Sequence, residues 1–258
     1  MKKEWIFFLF LIKAVNISAI CEDKFYYSAI TLSSGPHNTA FTRNISGISF
    51  NPAGIATVIS PQILLSYLVT PEELSLLRCA FASSIKKTGL GYFIDFATVF
   101  SAKTLEISPR VGIAWKKEWF YAGTFYEFLR NWPAEGNPTN LSIPSFGILL
   151  KPKFLRTGVS HFIYKDYHET HFQVGTILLK NRLHISTGIE QRWLKKTNPS
   201  LNLALECFLW DFLSISGFIT EKSFAAGFSL NAYSTRLGFA AKKTTSGIAY
   251  ALSFNIQR

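Results

Sequence analysis

The stretch Gly247-Ile248-Ala249-Tyr250-Ala251-Leu252-Ser253-Phe254-Asn255-Ile256 alternates without a break. Ile248, Tyr250, Leu252, Phe254 and Ile256 share one parity, and Gly247, Ala249, Ala251, Ser253 and Asn255 share the other. A period of two places these sets on opposite faces of a β-strand. One face is large and apolar, and the other is small or polar. The run is also long. A tilted strand needs about 9–11 residues to cross a bilayer, whereas strands of globular proteins run to about five or six.

The same pattern recurs through the chain. Leu105, Ile107, Pro109, Val111, Ile113 and Trp115 alternate with Glu106, Ser108, Arg110, Gly112 and Ala114. Leu201, Leu203, Leu205, Cys207 and Leu209 alternate with Asn202, Ala204, Glu206, Phe208 and Trp210. Leu183, Ile185, Thr187 and Ile189 alternate with Arg182, His184, Ser186, Gly188 and Glu190. A Lys or Arg facing lipid near the midplane costs about 2–4 kcal/mol. That penalty turns Arg110 inward and its Leu, Ile, Val and Trp neighbours outward.

Reading from one turn signal to the next predicts about fourteen strands: 60–69, 74–85, 89–100, 103–115, 118–129, 142–151, 153–164, 169–180, 182–193, 200–210, 212–221, 223–232, 234–242 and 246–257. An even count suits a single-chain bacterial barrel. With both termini in the periplasm, the periplasmic turns centre on Lys86-Lys87, Lys116-Lys117, Pro152, Asn181, Asp211 and Ser234. The opposite end then carries one long loop, Arg130 to Leu141, and the shorter connections Lys165 to His168 and Lys195 to Pro199. Short inner turns and longer outer loops are the expected asymmetry. Lys86, Lys87, Lys116, Lys117, Lys151, Lys153, Lys180 and Arg182 make the inner turns basic and suited to phospholipid head groups. Trp115, Trp119, Tyr164, Trp193, Trp210 and Tyr233 fall at strand ends, as in an interfacial aromatic girdle.

Composition supports this reading. Of 258 residues, 48% are hydrophobic and only 17% charged, against about 25% charged in soluble domains. Mean hydropathy is +0.18, yet no apolar run reaches the 18 or so residues of a membrane helix. The apolar content is instead spread over the whole chain. A net charge of +11 raises nucleic acid as a partner, but an exported chain meets lipid head groups and acidic partners instead. Export is indicated by Lys2-Lys3, the apolar octet Trp5 to Ile12 and the small pair Ser18-Ala19, a secretory signal cut near Ala19 or Ile20. Ile20 is too bulky for the small residue that precedes a lipidated cysteine, which argues against lipidation of Cys21. Cys79 and Cys207 lie inside predicted strands and read as small hydrophobes, with no disulfide framework.

Residues 22–58 do not alternate. The tract Asn38 to Ala56 is polar and broken by Gly47, Pro52 and Gly54, and Asn51-Pro52-Ala53-Gly54 has turn chemistry. A signal, then Ile48-Ser49-Phe50-Asn51-Pro52-Ala53-Gly54-Ile55-Ala56, then a long series of alternating strands resembles the long-chain fatty-acid outer-membrane transporter superfamily. Its nearest branch is the PorV/PorQ-type proteins associated with type IX secretion. Ile55 stands where that superfamily usually has Leu, and the chain ends in Gln257-Arg258 where many barrels end in an aromatic residue. The resemblance implies a fourteen-stranded barrel whose N-terminal segment plugs or lines the lumen. Asn51, Pro52, Ala53 and Gly54 are the binding motif it marks.

The expected fold class is therefore all-β: a transmembrane antiparallel β-barrel of about fourteen strands with an N-terminal plug segment. The order is signal peptide 1–19, plug or lumen segment 20–58 and outer-membrane barrel 59–258. No phosphate loop, nucleophile elbow or HExxH zinc motif occurs, so no enzyme, cofactor or metal is expected. His168 and His171 flank a predicted loop and read as solvated. Glu106, Arg110, His184, Glu190, Glu206 and Arg236 are the lumen candidates, either lining a solute path or forming a structural network. The expected partners are lipid of the bacterial outer membrane, hydrophobic small molecules crossing passively, and, on a competing reading, exported proteins held by a non-transporting barrel. A lipocalin-like or sandwich protein of the periplasm is the third and weakest reading.

Overall fold

A computed structural model of the chain describes residues 32–33, 38–41, 44–70, 74–85, 88–102, 104–134, 136–194, 198–221, 223–244 and 247–257. The expected signal peptide, Cys21 and most of 20–37 lie outside the described residues. Fourteen strands follow one another: β1 (Gln62–Val69), β2 (Ser75–Ser84), β3 (Leu90–Phe100), β4 (Thr104–Lys117), β5 (Phe120–Pro133), β6 (Thr139–Leu150), β7 (Leu155–Ile163), β8 (His168–Leu178), β9 (Leu183–Trp193), β10 (Ser200–Trp210), β11 (Leu213–Thr220), β12 (Phe224–Ala232), β13 (Thr235–Thr244) and β14 (Gly247–Gln257). Each pairs antiparallel with its sequence neighbours, and β1 pairs with β14, Gln62 opposite Gln257 and Val69 opposite Tyr250. The sheet is a closed barrel with no free edge.

The alternation sorts side chains as expected. Along β14, Ala251, Ser253 and Asn255 are buried while Leu252 is 55% exposed on the outer face. Along β1 burial switches at every residue from Gln62 to Val69. Ile63, Leu65, Leu77, Ile94, Phe96, Val111, Ile113, Leu203, Ile219 and Leu252 belong to a wall of exposed apolar side chains. A surface of that extent is stable only against a second apolar phase. Among the described residues no helix is long and apolar enough to cross a membrane. Cys79 and Cys207 are free and stand on this outer wall, as small hydrophobes.

Four expectations need correction. Residues 130–141 do not form one long loop: Arg130 pairs with Asn140 and Asn131 with Thr139, so β5 and β6 zip up to residues 131 and 139. Connections at both ends are therefore short, and loop length does not distinguish the two mouths. Lys116 and Lys117 belong to β4, opposite Tyr121 and Phe120, and the turn is Glu118-Trp119 with Glu118 at φ 51°. A two-residue hairpin needs a positive φ there, and no Gly or Asn advertises it. Trp210 is exposed, not inward, because a register shift between Phe208 and Trp210 breaks the alternation. Tyr164 is buried, stacked on Tyr167 at 4.4 Å, and takes no part in an outer girdle.

Val111 sits outward near the middle of β4 and is 52% exposed. Val111→Arg should lower stability in bilayers by about 2–4 kcal/mol. Unfolding in lipid vesicles, followed by the gel mobility of unheated protein, reads this directly.

Candidate functional site: the barrel interior

Among the described residues preceding β1, 38–41 and 44–58 lie inside the barrel. A helical turn Asn38–Phe41 is followed by two short 3-10 helices, Ile45–Ser49 and Pro52–Thr57. Asn44 and Asn51 cap these 3-10 helices by accepting from the N–H groups of Ser46 and Ala53, and Pro52 fits the first position because its missing N–H would have no partner there. Ile45, Ile48, Ile55, Ala56 and Val58 pack against the inward side chains Leu64, Ala80, Ala82, Phe93 and Ala114.

Asn51 ties this segment to the wall. Its Nδ2 donates to the Thr39 carbonyl at 2.7 Å and to the Ile148 carbonyl of β6 at 3.0 Å, while its Oδ1 accepts from Ala53 N–H at 3.0 Å. Gln62 Oε1 accepts from Ile45 N–H at 3.0 Å. The close approach depends on glycine. Gly123 and Gly147 face each other across β5 and β6, under Pro52 and Asn51. A Cβ on Gly147 would overlap Asn51 Oδ1, and one on Gly123 would come to 2.5 Å from the Pro52 carbonyl oxygen. Pro52, Ala53 and Gly54 are buried in this contact and present backbone rather than charge.

The six charged candidates face inward, in three groups rather than one path. Arg110 joins Asp95 of β3 in a buried ion pair, and Arg78 Nε lies 3.0 and 3.1 Å from the two oxygens of the same carboxylate. Asp95, Arg110 and Glu127 are direct neighbours across β3, β4 and β5, and Ser108 donates to Glu127 at 2.5 Å. Glu106 is buried two inward positions further along β4. The formal charges of Arg78, Asp95, Arg110 and Glu127 cancel. Buried charges persist only when paired and hydrogen-bonded in this way.

In the second group, His184 Nδ1 lies 3.2 Å from Glu206 Oε2. Arg236 reaches Glu206 Oε1 at 3.3 Å and also donates to Ser214 and Ser229. Glu190 belongs to the third group. There Glu169 accepts from Arg192 Nε at 3.1 Å and meets His171 Nε2 at 2.7 Å, and Arg192 Nη2 lies 3.6 Å from Glu190. His171 is 1% exposed, which corrects the expectation of a solvated loop histidine: β8 begins at His168, and odd positions face inward. Ligand atoms of Glu169, His171 and Glu190 fall within 4.8 Å of one another, the spacing of a metal set. Arg192 already supplies positive charge to both carboxylates, so the group reads as an ion-pair network.

The N-terminal segment touches the last two groups as well. Phe41 stacks on His184 with centroids 5.2 Å apart, and Phe50 meets the edge of His171 at 6.1 Å. Beyond His171 an apolar cluster lines the inner wall towards the mouth formed by the β5–β6 and β7–β8 connections: Phe125, Ile143, Phe162 and Tyr164, flanked by Leu141 and Tyr167. Burial, with Glu169 beside it, holds the Tyr164 phenol well above its usual pKa and so neutral. Arg78, Asp95, Glu127, Glu169, Arg192 and these aromatics were not among the sequence candidates. Asp95 and Arg78 were within reach of the same parity rule, as lone charges in otherwise apolar strands.

No family profile matches the chain, and no curated protein matches it. Solved structures share its architecture. The Ralstonia pickettii toluene transporter TbuX superposes with a TM-score of 0.69 at 7% identity, covering 91% of this chain and 99% of that one. The TodX monoaromatic hydrocarbon channel, a deltaS2 mutant, gives 0.68 at 8% identity, with 90% and 99% covered. The fold is thus one shared with solved outer-membrane β-barrels. Neither structure bears on the resemblance to the PorV/PorQ-type branch.

Asp95 sits between two arginines, so Asp95→Asn leaves both buried without their shared counter-charge. Loss of one partner from a buried pair costs about 3–5 kcal/mol. A urea midpoint in detergent should fall accordingly, while Glu221→Gln, at an exposed connection, should leave it unchanged.

Proposed function

We propose that this protein is a bacterial outer-membrane barrel through which small hydrophobic solutes cross passively, with residues 44–58 acting as the plug. The observation that carries this reading is the inward cluster of Phe125, Ile143, Phe162 and Tyr164 at one mouth. A lumen for ions would be lined by polar and charged side chains rather than aromatic rings. An apolar, π-rich lining instead favours aromatic or aliphatic solutes leaving water. Outside this cluster the inner wall carries charges already paired with one another, which give a migrating apolar molecule little to bind. The fold shared with a toluene transporter and a monoaromatic hydrocarbon channel supports the same solute class. We place the connections after even-numbered strands in the periplasm, with the aromatic mouth outside, and assign residues 1–19 to a cleaved signal peptide. The reading involves no catalytic step, no cofactor and no nucleic acid.

A second reading, a non-transporting barrel that holds exported proteins, draws on the exposed basic residues Lys116, Lys117, Lys153, Lys180 and Arg182 at the opposite mouth. Crosslinking in intact cells that recovers one abundant exported protein, together with no solute flux, would favour it.

Proteoliposomes decide between the two. Toluene should enter vesicles carrying the protein faster than empty ones, with no matching gain for a sugar of similar size. Gly147→Val removes the space for Asn51 and should raise toluene entry by loosening the segment, provided unheated protein still runs as a folded barrel. Equal entry into loaded and empty vesicles for a panel of fatty acids and aromatics would sink the transport reading.

A further inference from the structure

The outer wall is not uniformly smooth. A groove of about 340 Å³ crosses β4, β5 and β6 near the aromatic mouth. That volume lies at the small end of ligand sites, which span about 300–1,000 Å³. Its origin is local. Pro109 has no N–H to give the ladder. Register partners run on either side of it, Ile107 with Arg130 and Arg110 with Glu127, but none joins Ser108 and Pro109 to Leu129 and Phe128. On β6 the outward positions here are the short side chains Asn140 and Ser142, so the surface dips.

The groove has two chemistries. Ile107, Pro109 and Phe128 make an apolar part, in line with the apolar outer wall. Arg130, Asn140 and Ser142 make a polar rim, with Arg130 directly opposite Asn140 across β5 and β6. The Arg130 guanidinium lies over the Trp132 ring, 4.8 Å from its centroid. Among the described residues no carboxylate pairs with Arg130. Glu106 and Glu127, its nearest acidic neighbours in the register, point into the lumen on the other side of the wall. Among the described residues this outward guanidinium thus has a stacking partner but no counter-anion. Arginine matches phosphate with a planar pair of donors, and the Asn140 amide and Ser142 hydroxyl add neutral donors alongside.

We infer that this groove binds a phosphate-bearing anionic lipid of the surrounding leaflet, its phosphate on Arg130, Asn140 and Ser142 and part of one acyl chain along Ile107, Pro109 and Phe128. Charge complementarity at Arg130 and continuity with the apolar wall select that occupant over a soluble anion, for which the apolar half would be wasted.

Native mass spectrometry of the full detergent-solubilised protein tests this, using phosphatidylglycerol and phosphatidylcholine with identical chains. Wild type should retain phosphatidylglycerol in preference, and Arg130→Gln should weaken that retention about tenfold, the scale of one charge-assisted hydrogen bond. Lys243→Gln removes another exposed cation, on β13, and should change nothing. Retention by Arg130→Gln equal to wild type overturns the site, as does an equal loss in Lys243→Gln, which would reveal only general charge attraction. Displacement of the lipid by millimolar inorganic phosphate would likewise overturn it in favour of a plain phosphate site. Unheated gel mobility of each variant confirms that the barrel is intact when it is scored.

Discussion

Backbone hydrogen bonding in a medium that offers no water is the constraint from which the rest of this molecule follows. An unpaired N–H or C=O facing hydrocarbon costs several kcal/mol, so a sheet that enters lipid must close. Pairing of β1 with β14 removes the last edge, and antiparallel pairing of sequence neighbours lets connections of a few residues do all the joining. Closure creates two surfaces with opposite demands. The outer one must be apolar, and Leu, Ile, Val and Phe at alternate positions provide that. The inner one is free to carry charge.

That freedom is used in a particular way. Asp95, Arg110 and Glu127 bridge three neighbouring strands, Glu206 and Arg236 join β10 to β13, and Glu169 and Arg192 join β8 to β9. Each group fastens the wall from within, where no sheet-on-sheet core exists to do so. Residues 44–58 lie inside the barrel, bedded on Leu64, Phe93 and Ala114 and seated over glycines of β5 and β6. Phe41 and Phe50 carry it across to His184 and His171. Displacement of this segment therefore unsettles apolar packing on one side and aromatic contacts to both histidine groups on the other.

Proline contributes twice, with opposite effects. At Pro52 its missing N–H falls where a helix start has no use for one, so the turn is stabilised. At Pro109 the same absence interrupts a ladder inside a wall that otherwise pairs continuously, and a groove opens. The second case is tolerable because the interruption spans only two positions and register resumes unchanged on both sides.

Strand number, strand parity and the inward direction of Glu106, Arg110, His184, Glu190, Glu206 and Arg236 were legible in the amino-acid sequence, since a period of two is a property of neighbouring residues and lipid penalises the wrong face. The Asn51-Pro52-Ala53-Gly54 turn was legible for the same local reason. Three things were not. Zipping of Arg130 and Asn131 against the start of β6 shortened an expected loop, because hairpin pairing reaches up to the turn that holds Gly136 and Pro138. His171, read as solvated beside the β7–β8 connection, is buried in the lumen, because the odd positions of β8 face inward and Glu169 and Phe50 pack against it. The division of six charges into three separate networks depends on which strands adjoin and in what register. Parity tells a side chain which face it occupies, but only the closed tertiary structure decides which partner it meets there, because those partners lie up to 30 residues away in the chain and are brought within about 3 Å by the ladder alone.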